Sequence, residues 1–170
     1  MAGIKFIESS NYTLINFIVN QLLRPEIRKF LFDDIMGLSE IARLMYNPTT
    51  MIYSIHEKGK PEPIGVVFFV RAIPYRDCGL YGVIFDKEKR QQGTMTEIYE
   101  RIMKDAIERW RPSSATANVV GRNLASIKIL EKMGFKKIGV KPRGIMVDGK
   151  YKDLSIFYIT QEENKEQGGK

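Results

Sequence analysis

The sequence predicts one mixed α/β (α+β) domain, a mostly antiparallel sheet with a single parallel βαβ crossover. Three observations carry that expectation. Apolar, β-branched runs separated by Gly/Pro turns occupy residues 51–86, the strongest helical periodicity follows at 95–110, and two long strands flank Asp148-Gly149. The 170 residues, 44% hydrophobic and 28% charged, suit a single domain large enough to bury a core.

The elements follow in order. Alternation around Ile4 and Phe6 gives a short first strand, and Leu14, Ile15, Ile18, Val19 and Leu22 recur at helical spacing over 11–23. Pro25 opens a second helical stretch over 26–35, since proline suits a first turn, and Gly37 breaks it. Ser39 begins another helical turn before Pro48. Residues 51–57 and 64–72 make a hairpin about Gly59, Pro61 and Pro63, and a third strand runs over 79–86. The long helix, which steps from Met95 to Trp110, ends at Pro112. A strand over 115–120 precedes a helix over 124–133 that Gly134 closes. Residues 135–147 and 150–160 pair through the two-residue Asp148-Gly149 turn. The domain spans 1–160, and 161–170 form a polar tail. A strand, long helix and strand in sequence make a right-handed crossover between parallel strands.

Composition excludes several classes of function. One cysteine, Cys78, and one histidine, His56, rule out an internal disulfide framework and Cys- or His-rich metal centres, so no metal site is expected. Lys5 and Glu8 interrupt the N-terminal apolar residues, unlike a signal peptide, and no run of about 18 apolar residues exists to span a bilayer. A cytoplasmic protein without membrane contact is expected. The net charge of +7 is concentrated: residues 122–152 carry nine Lys/Arg against Glu131 and Asp148, whereas 1–86 balance nine against nine. Such a face attracts a polyanion, whether nucleic acid, phosphorylated cofactor or membrane, or else is a solvated lysine-rich face with no partner. Cys78 has no neighbouring histidine in sequence and reads as structural, as does His56 on its strand. Phe68, Phe69, Phe157 and Tyr158 read as core by strand alternation, and Asp33-Asp34 as a solvated helix face.

The chemistry-bearing stretch is the strand–loop–helix of residues 82–97, with Arg90-Gln91-Gln92-Gly93-Thr94-Met95-Thr96 at the turn. The unpaired N–H groups and dipole of a helix start suit a phosphate or pyrophosphate, and Gly93 permits close backbone approach. The Gly-Lys-Ser/Thr signature of a P-loop is absent. A second stretch, Asn123-Leu-Ala-Ser126 through Glu131-Lys132-Met-Gly134-Phe135, follows the next strand.

Together these residues resemble the GNAT superfamily of acetyl-CoA-dependent N-acetyltransferases. Arg90-x-x-Gly93-x-Met95 matches its Arg/Gln-x-x-Gly-x-Gly/Ala cofactor motif except at the last position, and the second stretch fits its Asn…Glu-Lys-x-Gly-Phe pattern. Ser126, Leu130 and Thr96-Glu97 look most like the RimJ/RimL-type branch. The resemblance covers about residues 4–160 and implies the acyl-CoA N-acyltransferase fold, in which the strand before the loop splays from its neighbour. It implies that Val83 and Phe85 hold the pantetheine arm of acetyl-CoA by main-chain bonds. Arg90, Gln91, Gln92, Gly93, Thr94, Met95 and Thr96 would wrap the pyrophosphate, with Asn123 beside the pantetheine or the reacting centre and Ser126 close by. Met95 departs from the pattern, as do Leu130, where the superfamily often has a proton-donating tyrosine, and Leu80, where it often has glutamate. Tyr81 is left as a candidate acid and Asn123 as the residue orienting a water that accepts the amine's proton. The implied function is direct acetyl transfer to a primary amine: a protein N-terminus, amino sugar, polyamine or other small amine. The alternative is a non-catalytic acyl-CoA-sensing or nucleic-acid-binding module using 122–152. The acceptor and the oligomeric state, a homodimer included, stay open.

Overall fold

The computed structural model describes residues 3–6, 11–28, 38–72, 77–90, 94–121, 123–147 and 149–160. They form β1 (Gly3–Phe6), α1 (Tyr12–Leu22), α2 (Pro25–Arg28), α3 (Leu38–Tyr46), β2 (Thr50–His56), β3 (Pro63–Ala72), β4 (Asp77–Ile84), α4 (Thr94–Trp110), β5 (Ser114–Val120), α5 (Leu124–Lys132), β6 (Lys136–Val147) and β7 (Lys150–Thr160). The seven strands make one sheet in the order β1-β2-β3-β4-β5-β7-β6. Among the described residues only β4 and β5 pair in parallel, and the other five pairings are antiparallel. That is the expected crossover, made by α4. The chain then crosses again through α5, and β7 inserts between β5 and β6, so β6 becomes the edge strand.

Local chemistry sets the helix limits. Asn11 caps α1 by accepting from the Leu14 N–H at 3.2 Å, and Asn123 caps α5 by accepting from Ser126 N–H at 3.3 Å. Arg111 at φ 47 and the following Pro112 end α4, and Gly134 at φ 83 ends α5. Residues expected as one helical turn after Ser39 form the nine-residue α3, which buries Met45. Strand β4 starts at Asp77 and stops at Ile84, because the Asp86 carboxylate accepts from the Glu88 N–H (2.9 Å) and turns Lys87–Lys89 into a 3₁₀ turn. Of the second helix only Pro25–Arg28 is described, and Asp33-Asp34, Gln91, Gln92, Gly93 and the tail lie outside the described residues.

Strand alternation sorts the core into two layers. Cys78, Leu80, Ile84, Ala115, Ala117, Val119, Phe157 and Ile159 face α4 and α5, meeting Ile98, Tyr99, Ile102, Met103, Ala106 and Leu130. On the other face Ile52, Val66, Phe68 and Phe85 meet α1, α2 and α3 through Ile15, Ile18, Leu22, Ile27 and Met45. No helix among the described residues is long and apolar enough to cross a membrane.

Candidate active site

The feature that the fold builds around β4 and β5 is a gap. Their ladder consists of Asp77↔Ser114, Cys78↔Ala115 and Gly79↔Thr116, and then it stops. Both strands continue, β4 paired to β3 as far as Ile84 and β5 paired to β7 as far as Val120. Two bonds fix which main-chain groups line the opening. Phe85 N–H donates to the Ile64 carbonyl (2.8 Å), so Phe85 and, by alternation, Val83 and Tyr81 turn their peptide groups toward β3. Gly121 N–H donates to the Asp153 carbonyl (2.8 Å), so the odd residues of β5 face β7. The groups facing the gap are therefore those of Gly82 and Ile84 on one side and Asn118 and Val120 on the other. The resemblance implies this task for the main chain of Val83 and Phe85, whose side chains pack in the α1–α3 core.

The closed end of the gap is polar and rigid. Asp77 accepts from Ser114 Oγ (2.9 Å) and Thr116 Oγ1 (2.8 Å), clamping the two strands where their ladder ends. One step further, the Tyr81 hydroxyl hydrogen-bonds the Asn118 side chain across the opening. Burial pushes the Tyr81 phenol up, the Asn118 bond pulls it down and the Asp77 charge pushes it up again, with a net rise. Two glycines seat tyrosines here from opposite faces. A Cβ at Gly79 would lie 2.9 Å from Cε2 of Tyr81, and one at Gly82 would overlap the Tyr99 hydroxyl oxygen and lie 2.9 Å from its Cε1. Sequence reading placed Tyr99 only in the core stripe of α4. A glycine on each side of Tyr81 was the available signal for this close packing.

The open end leads to the loop before α4. Arg90 does not point outward. Its Nε donates to the Ile84 carbonyl (2.9 Å) and its Nη2 to that of Phe85 (3.1 Å). Lys89 is ion-paired to Glu57, which also binds Lys60 at 2.5 Å. Hydrogen bonds from Lys60 and Lys89 hold the Glu57 carboxyl down to about 2. The chain is thus anchored at two successive residues immediately before Gln91-Gln92-Gly93. At the start of α4, Met95 packs against the α4–α5 core and Thr96 is buried, so the methionine that departs from the motif is turned inward. Leu130 and Leu80 are core residues.

Asn123 and Ser126 sit together past the end of β5, the Asn123 Oδ1 being used by the helix cap. Cys78 is fully buried and donates its thiol to the Ser114 carbonyl (3.2 Å), and burial, helped by the Asp77 charge, pushes that thiol well up. It is a structural residue, as expected. His56 is buried with Nε2 2.8 Å from Ser54 Oγ. Beyond the Leu154–Val120 pair, residues 141–152 form a two-stranded ribbon that β5 does not touch, carrying exposed Lys141, Arg143, Lys150 and Lys152. Its tip projects at the same end of the sheet as the start of α4. A cavity of about 310 Å³ lined by Arg71, Trp110, Arg111 and Pro112 lies at the other end of α4 and takes no part in the gap.

Residues 19–136 match the Acetyltransferase (GNAT) domain family. The chain belongs to that family. It is 28% identical over 85 residues to the probable N-acetyltransferase YjcK of Bacillus subtilis (strain 168), a match spanning 50% of this chain and 47% of that relative's length. Among solved structures, spermidine N-acetyltransferase from Vibrio cholerae in complex with CoA and spermine superposes with a TM-score of 0.80 at 16% identity, covering 96% of this chain and 98% of that one. Ribosomal-protein-S5-alanine acetyltransferase from Vibrio fischeri gives 0.76 at 16%, covering 95% and 93%. At such identities the likeness is one of fold.

Proposed function

We propose that this chain is an acetyl-CoA-dependent N-acetyltransferase of the RimJ/RimL type that passes acetyl directly to a primary amine. The observation that carries the reading is the gap: two strands continue past their last shared bonds and present main-chain groups to each other across an opening. A pantetheine arm carries amides that need such partners, and Gly82, with no side chain, offers its N–H and carbonyl most openly. The loop 90–96 and the N-terminus of α4 suit the pyrophosphate beyond it, with the basic ribbon as a further source of cations at that end. Acetyl-CoA supplies an already activated acyl group, so the protein's share is positioning and hydrogen-bond donation. Helices α4 and α5 close one face of the gap, so the amine enters from the face of Tyr81, Thr116 and Asn118.

Titration calorimetry with acetyl-CoA, followed by thiol release over a panel of amines, tests this reading. The panel includes a polyamine and an alanine-first peptide, because proteins of the same fold are described as acting on spermidine and on a ribosomal protein's alanine. Binding, with turnover of at least one amine, is expected. A folded protein that takes up no acetyl-CoA would overturn it.

Two predictions refine the chemistry. With Tyr81 raised in pKa and held protonated, and with a water taking the amine's proton, the rate should climb with pH until the acceptor itself is neutral. The inflection should move with the amine's own pKa. An inflection fixed near neutrality for every acceptor would mean a protein base, and Tyr81→Phe should lower the rate by less than about tenfold.

Asn123→Ala should lose about 1 kcal/mol of stability through the broken helix cap, and Asn123→Asp should restore it. If the Asn123 amide also orients the reacting water, both variants lose about tenfold in rate, whereas a role confined to capping leaves the aspartate variant fully active. Urea denaturation and thiol release separate the two.

A further inference from the structure

The core under α1–α3 takes its strand residues from β2, β3 and β4 with Phe85, and among the described residues none from β5, β7 or β6. The same face of those three strands is therefore uncovered. Thr116 pairs with Tyr158 on it, and four residues along β5 Val120 pairs with Leu154, which pairs in turn with Lys141 of β6. The charges on this face are sorted by sign. The Asp77 carboxylate stands at the closed end of the gap, held by Ser114 and Thr116, and its charge acts on the Tyr81 phenol. Lys141 and, two residues from Leu154 on the same side of β7, Lys152 are exposed at the other end. Asp153 alternates to the α4–α5 face and accepts from the Arg143 N–H (2.9 Å). Arg143 lies 4.7 Å over the Tyr151 ring, on that face too. With strands about 4.8 Å apart and about 3.3 Å per residue, Lys141 lies about 16 Å from Thr116 and Lys152 about 20 Å.

We propose that the acceptor is the N-terminus of a peptide with acidic residues a few positions in, its amine drawn to the Asp77 end of the gap and its acidic side chains held by Lys141 and Lys152. This rests on the acetyltransferase reading above and adds the acceptor class to it. An extended chain advances about 3.3–3.6 Å per residue, so the span between the two ends places the acidic side chains at roughly the fourth to sixth residues. A polyamine laid along the same path would bring a second ammonium against two lysines. An α-amine also suits a site in which water takes the proton, because its pKa of about 7.7–8.0 leaves much of it neutral near pH 8, whereas a lysine-type amine at about 10.4 stays charged. The neutral nitrogen bonds to the acetyl carbonyl carbon, the C–S bond breaks with its electron pair on sulfur, and the proton shed by nitrogen goes to water.

The test compares kcat/KM, by thiol release, for alanine-first octapeptides carrying Asp, Asn or Lys at residues four to six, with spermidine alongside. Wild type should prefer the Asp peptide to the Asn peptide by about tenfold, the combined scale of two exposed ion pairs, and to the Lys peptide by more, chiefly through KM. Raised salt should shrink the preference, because exposed charges are screened within about 10 Å at 0.1 M ionic strength. Combining Lys141→Glu with Lys152→Glu should reverse the order, making the Lys peptide the better substrate, a switch that neither misfolding nor weaker cofactor binding produces. Equal KM for the Asp and Lys peptides in wild type overturns the acceptor assignment, as does an Asp preference that survives in the double variant. So does faster turnover of spermidine than of the Asp peptide, or acetyl-CoA binding without turnover of any peptide. Each of these leaves the acetyltransferase fold and its cofactor site standing. Failure of folded wild type to bind acetyl-CoA overturns both readings.

Discussion

Phe157→Ala should lower the unfolding free energy by about 3–5 kcal/mol, the range for deleting a fully buried aromatic ring. The side chain is 0% exposed, near the middle of β7, and lies on the face that carries α4 and α5. Its cross-strand partner on β5 is Ala117 and on β6 is Lys137, and a close-packed interior refills such a void only in part. The position also ties the two halves of the sheet together, because β7 is the strand through which β6 reaches β5. A chain of this size loses about 2–4 °C of melting temperature per kcal/mol, which makes the drop about 10 °C. Urea denaturation with an unchanged slope checks it. Phe157→Leu, which leaves most of the volume, should cost much less, and a loss below about 1 kcal/mol for the alanine variant would mean the site collapses freely.

The sequence made the element order legible because periodicity reports which face of an element is buried. Met95 to Trp110 reads as a helix on that ground, and the structure places Ile98, Ile102, Met103 and Ala106 where the stripe requires. The crossover followed from chain order alone. What periodicity cannot report is with whom a strand pairs, and for how long. Residues 80–84 look like any half-apolar strand, and nothing local says that their ladder to β5 stops at Gly79. The insertion of β7 between β5 and β6 was invisible for the same reason. Tyr99 could be assigned to the core by spacing, but the meeting of its hydroxyl with Gly82 depends on how α4 lies over β4. Arg90 is a further case. A basic residue opening a phosphate-type loop reads naturally as a phosphate ligand, while its guanidinium in fact holds the Ile84 and Phe85 carbonyls at the end of the strand. A motif names a segment and leaves the direction of its side chains undetermined.

Gly93→Glu should abolish acetyl-CoA binding in a protein that still folds. Gly93 immediately precedes Thr94, the first residue of α4, at the turn where the helix start offers N–H groups and partial positive charge to an anion. A side chain there obstructs close backbone approach, and a carboxylate adds like charge. Two unit charges about 4 Å apart repel by about 4 kcal/mol at an effective dielectric constant of 20, which is about a thousandfold in Kd. Gly93→Ala, which adds bulk without charge, should weaken binding far less, so the pair of variants separates steric from electrostatic loss. Both proteins should melt close to wild type. Raised salt should partly restore binding to the glutamate variant, because partly exposed charges are screened within about 10 Å at 0.1 M ionic strength. Calorimetric titration of all three proteins decides the matter. Unchanged affinity in folded Gly93→Glu would place the pyrophosphate somewhere other than this loop, and the N-terminus of α4 would then have no part in holding the cofactor.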